Sequence, residues 1–155
     1  KANRRGAEHC SGCASTLPRS PEVVLAQAEV PELERTTPNH DRLVDAIDAV
    51  YAGELGPEGF EREWSAIWGH MQGHYRSIQQ DRRDVARHSG SAVEAYRNVL
   101  EAIEEGVLAS LEALEVMRGY LDTGSSSYLS RGLDLLMQAT PLLIEAQELL
   151  QSLEV

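Results

Sequence analysis

Two cysteines three positions apart, in Cys10-Ser11-Gly12-Cys13, are the residues of this chain whose type and spacing point most directly to chemistry. That spacing puts two thiolates on one tight turn, where both can reach the same metal, and Gly12 relieves the backbone between them. A structural zinc site takes four ligands, and Cys10 and Cys13 supply two. His9 is the immediate neighbour of Cys10, which makes chelation alongside it awkward. The remaining ligands would come from residues outside this sequence or from a second chain. A metal-free pair on a tail is another reading. A thioredoxin-like redox pair is a further one, but the surrounding pattern lacks the βαβ unit that houses such a pair.

A second pair is His70 and His74, four apart on a helical pattern and therefore on one face. Two histidines at that spacing can hold a metal, but no His-Glu-x-x-His motif supplies the acid of a catalytic site. The expectation is two partly exposed bundle histidines. A deep polar pocket around them with an acid nearby would revive an enzymatic reading. A di-metal carboxylate bundle would need Glu-x-x-His on two helices, which the chain lacks, so Glu104 and Glu105 read as solvated positions. Phe60, Trp64 and Trp68 make an aromatic stripe expected to pack in the core. Arg82, Arg83 and Arg87 form a small basic cluster beside Asp81 and Asp84, which reads as internal salt bridging rather than a phosphate site. No Walker loop, G-x-G-x-x-G motif or nucleophile elbow is present. The expectation is a protein without enzymatic activity.

Charge narrows the partners. The 155 residues carry a formal net charge of −11. Residues 1–35 balance, with five basic and five acidic groups, whereas residues 91–155 carry three and eleven. An acidic surface repels nucleic-acid backbones and anionic headgroups, so neither nucleic acid nor membrane is expected as a partner. No apolar run approaches the length of a membrane span, and no apolar signal segment opens the sequence. With two cysteines in all, a disulfide-built secreted domain does not fit and a reducing cytoplasm does.

The elements that must position these groups are helical. Val93, Leu100, Val107, Leu114 and Leu121 recur every seven residues, with Tyr96, Ile103, Ser110 and Met117 on the companion row. After Thr123-Gly124-Ser125 two leucine rows follow: Leu129, Leu136, Leu143 and Leu150, then Leu135, Leu142 and Leu149. Such repeats give each helix a continuous apolar stripe of coiled-coil type, and the Gly-containing turn folds the two into an antiparallel hairpin. Upstream, Leu43, Val44, Ile47, Val50 and Tyr51 mark one amphipathic helix, with Asn39 as its expected N-cap. Phe60, Trp64, Ile67, Trp68, Met71, Tyr75 and Ile78 mark another. The predicted helices are 39–52, 57–87, 91–122 and 126–154. Pro141 predicts a kink at Ala139-Thr140 rather than a break, because the leucine rows stay in phase across it. Residues 19–38 are Pro-rich and read as a linker, with Val23, Val24 and Leu25 as apolar tethers.

Residues 1–18 resemble the second half of a bacterial zinc ribbon. Asn3, then Gly6-Ala7, precede Cys10-Ser11-Gly12-Cys13, and Leu17-Pro18 follow, as in that family. His9 stands where the family usually has an aromatic, and Ala14 where it usually has Gly. The resemblance implies a zinc cofactor held by Cys10 and Cys13, with the other Cys-x-x-Cys upstream of Lys1. It covers no part of the helices.

The expected fold is all-α: a bundle of about four helices (39–155) with a long C-terminal antiparallel hairpin, behind a Pro-rich linker (19–38) and a partial zinc-ribbon knuckle (1–18). The expected function is a non-enzymatic adaptor or scaffold of a bacterial cytoplasm, assembling with a protein partner or with itself. The candidate interface is the surplus leucine face, Leu135, Leu136, Leu142, Leu143, Leu149 and Leu150. If the first two helices cover that face, it belongs to the core instead. The alternative function is a metal- or redox-responsive regulator using Cys10 and Cys13.

Overall fold

The computed structural model describes residue 33 and residues 35–153. The chain divides into two compact units, Lys1–Arg35 and Thr36–Val155. The sequence-predicted knuckle, with Cys10 and Cys13, and almost all of the linker lie outside the described residues.

Thr36–Val155 is a bundle of four helices: α1 (Pro38–Tyr51), α2 (Pro57–Val85), α3 (Ser91–Thr123) and α4 (Ser127–Leu153). No strand occurs among the described residues. Each helix packs on its neighbours in sequence, and α1 closes the ring against α4. The diagonal pairs, α1 with α3 and α2 with α4, make no backbone approach among the described residues.

The helix ends follow local chemistry. Thr37, not Asn39, caps α1: its Oγ1 accepts from the His40 amide at 3.2 Å, and Pro38 takes the first helical position. Proline is preorganised for that position and has no amide to lose, so the helix starts one residue earlier than predicted. Asn39 is thereby released for a tertiary contact described below. Pro57 opens α2 in the same way after Gly56. Gly124, at φ +74°, closes α3 in the left-handed conformation, and its amide reaches Tyr120 O at 2.7 Å. α4 runs through Pro141 as one helix. Two turns of that helix carry unusual bonding, since Pro141 has no amide and the Thr140 hydroxyl donates back to Leu136 O at 3.0 Å.

The core is filled from all four helices, with Leu43 and Ile47, Phe60 and Ile67, Leu114 and Met117, and Leu129 fully buried. Phe60 meets Tyr120 edge to face, with ring centroids 5.5 Å apart, and Trp64 stacks on Trp68 at 5.2 Å. The Trp64 indole N–H donates to Leu114 O at 2.7 Å, so the aromatic stripe packs in the core with its polar atom satisfied.

α3 and α4 make the closest pair, and glycine sets how close. A Cβ at Gly132 would lie 2.3 Å from Met117 Cγ and 3.0 Å from Ala113 O. A Cβ at Gly106 would lie 2.8 Å from Leu143 Cδ2 and 3.1 Å from the Leu143 backbone N. The hairpin register thus sets Leu143 against Gly106 and Met117 against Gly132. Two charge expectations are corrected. Arg82 pairs with Glu104 across the α2–α3 interface rather than with the aspartates beside it, and Gln79 donates to the same carboxylate. Glu104 is therefore a bonded, largely covered side chain, not a solvated one.

Candidate functional site

The four helices differ in length, and that difference creates the site. α1 has 14 residues, against 29, 33 and 27 for α2, α3 and α4. At 1.5 Å per residue α1 is about 21 Å long, roughly half the length of α2 or α4. It lies antiparallel to α4: the Tyr51 hydroxyl bonds to Ser126 O at 3.1 Å at one end, and His40 bonds to Thr140 at the other. It is antiparallel to α2 as well, with Arg42 paired to Glu63 and Asn39 bonded to His70. Beyond its N-terminus, among the described residues, the bundle continues with α2, α3 and α4. Because α2 and α4 flank α3 with no close backbone approach among the described residues, they leave a trough between them.

A cavity of about 430 Å³ occupies the start of this trough. Thr37, Pro38 and Asn39 of the α1 end line one side. His70, Met71 and His74 come from α2, Ile103 and Val107 from α3, and Leu143, Gln147 and Leu150 from α4. The three- and four-residue spacings of each amphipathic helix bring these side chains to the same face. No carboxylate is among the described lining residues.

The histidine pair sits on this lining. His70 Nε2 and His74 Nε2 are 2.9 Å apart, and the rings lie 4.5 Å apart between centroids. Asn39 Nδ2 stands 3.1 Å from His70 Nδ1. With the amide donating, His70 carries its proton on Nε2 and donates it to His74. His74 has its pKa lowered from the ordinary value, first by partial burial and second by the adjacent His70 imidazole. Both effects disfavour a positive charge on His74. Sequence spacing showed the shared face of His70 and His74. The contribution of Asn39 was out of its reach, since that residue is 31 positions away and read as a cap.

The surplus leucine face divides along the same line. Leu136 is buried, and Leu135 and Leu143 pack against the core. Leu142 and Leu150 are half-buried, while Leu149 is 49% exposed. The first two helices thus cover the face only in part, because α1 ends near Thr140. His40, Ser110 and Thr140 are buried polar residues that sequence reasoning did not single out as sites. His40 shares the helical face of Leu43, Val44 and Ile47, and that phase was the available signal.

Among the described residues no three His, Cys, Asp or Glu side chains converge as a metal cage. No described helix is long and apolar enough to cross a membrane. Cys10 and Cys13 lie outside the described residues. No family model matches the chain, and comparison with curated proteins and with solved structures finds no match.

Proposed function

We propose that this chain is a non-enzymatic adaptor whose trough takes an amphipathic helix from a basic protein partner. The observation that carries the reading is the short α1: among the described residues, α2, α3 and α4 alone continue past its N-terminus and wall the cavity there. The lining is mainly apolar: Met71, Ile103, Val107, Leu143 and Leu150. An apolar groove between helices accepts a helix whose own apolar residues recur at three- and four-residue spacing. The hairpin that forms two of the walls carries ten acidic and three basic residues over 91–153, and this favours a cationic partner. Around His70 and His74 the described lining is mostly apolar, which suits the binding of an apolar helix face. A zinc-ribbon module in residues 1–18, with Cys10 and Cys13 as ligands, would add a second recognition unit to the same adaptor.

The test is titration of a fluorescent synthetic helix with one leucine face and one lysine face into the full chain. Saturable binding at one peptide per chain is expected, weakening with salt. Leu150→Asp, at the half-buried lip, should weaken it at least about tenfold, or about 1.4 kcal/mol, with helicity unchanged. Equal binding to this variant, or none to the parent, overturns the reading. A concentration-dependent dimer that excludes the peptide would replace the foreign helix with a second copy of the chain.

A further inference from the structure

We propose that His70 and His74 form a bidentate chelate for a divalent cation of the nickel or copper type at the edge of the trough. The inference does not depend on the adaptor reading. Two imidazole nitrogens face each other at 2.9 Å. Metal–imidazole bonds are about 2.0–2.1 Å long, so an ion bonded to both at this separation subtends an N–M–N angle of about 90°. That is the cis angle of octahedral and tetragonal coordination, which Ni²⁺ and Cu²⁺ adopt. A tetrahedral Zn²⁺ would ask for a separation of roughly 3.3 Å. The approach requires little rearrangement, because both side chains leave the same helix one turn apart.

Asn39 strengthens the assignment. A metal-bound imidazole needs its free nitrogen protonated and held by an acceptor. Turned end for end, the Asn39 amide presents Oδ1 in place of Nδ2 at the same 3.1 Å from His70 Nδ1. It then accepts from Nδ1–H and leaves Nε2 free for the ion, since the amide end that faces a ring nitrogen follows whether that nitrogen carries a proton. Among the described residues no lysine or arginine lines the cavity, and Gln147 adds an uncharged polar group to its lining. The remaining coordination positions would take water.

The experiment is calorimetric titration of Ni²⁺ into the full chain carrying Cys10→Ser and Cys13→Ser, so that thiolates do not compete. One Ni²⁺ per chain is expected. His70→Gln and His74→Gln should each weaken binding at least about tenfold, and Asn39→Ala should weaken it by a smaller factor. All three positions face solvent or the trough, and helicity by circular dichroism checks that the variants fold. Electron paramagnetic resonance of the Cu²⁺ complex should show two equatorial imidazole nitrogens. Unchanged affinity in both histidine variants overturns the proposal, as does loss of all Ni²⁺ binding on replacing the cysteines alone.

Discussion

His40 and Thr140, one hundred residues apart in the chain, meet side chain to side chain at 2.7 Å inside the bundle. The Thr140 hydroxyl has one proton and gives it to Leu136 O, so its oxygen must accept from His40 Nδ1–H. The contact sets a proton on Nδ1 of a buried imidazole and pins the N-terminal end of α1 to α4 at the turn before Pro141. Thr140→Val keeps the shape and removes the acceptor. Leaving a buried donor unmatched costs about 1–3 kcal/mol. The expected result is a lower urea midpoint with an unchanged slope; an unchanged midpoint would mean that the bond contributes nothing net.

The hairpin register predicts opposite outcomes at two glycines. Gly132→Val would drive a branched side chain into Met117 and the Ala113 carbonyl, and overpacking of this kind costs about 1–3 kcal/mol. Gly69, exposed within α2, has nothing near an added Cβ. Gly69→Ala should therefore stabilise by about 0.5–1 kcal/mol through the lower entropy of the unfolded chain. Thermal unfolding of the two variants decides both.

His74 sets a pH dependence with a definite sign. Its folded pKa lies below the ordinary value of 6.5, so between the two the unfolded chain binds more protons. Stability is then fully present above about pH 6.5 and declines as pH falls through the window beneath it. His74→Gln should lose less stability than the parent between pH 7.5 and 5.5, measured by urea unfolding. An identical decline in both would remove His74 as a contributor.

Thr36–Val155 forms a compact unit of its own, with its helices and core internal to it. Deleting residues 1–35 should leave the helical signal per residue and the unfolding midpoint nearly unchanged. A chelator added to the full chain should likewise leave the bundle's transition in place, even if it strips a metal from Cys10 and Cys13. A large loss of helicity on deletion would place part of the bundle's stability upstream of Thr36.

Much of the architecture was legible in the sequence because it is set by local periodicity. The apolar rows at three, four and seven residues placed four helices within two residues of their observed ends, and Gly124 and Pro57 marked their boundaries through backbone preferences alone. The shared face of His70 and His74 followed from the same helical repeat. What the sequence could not decide were relations across helices. Asn39 reads as a cap until Thr37 and Pro38 take the helix start and turn it toward His70. Glu104 reads as solvated until α2 brings Gln79 and Arg82 to it. The leucine rows show how wide the apolar face is, but not how far α1 reaches along it. That reach depends on how the 14 residues of α1 dock against longer helices, and the docking is held by side chains up to one hundred positions apart, a separation that no local pattern records.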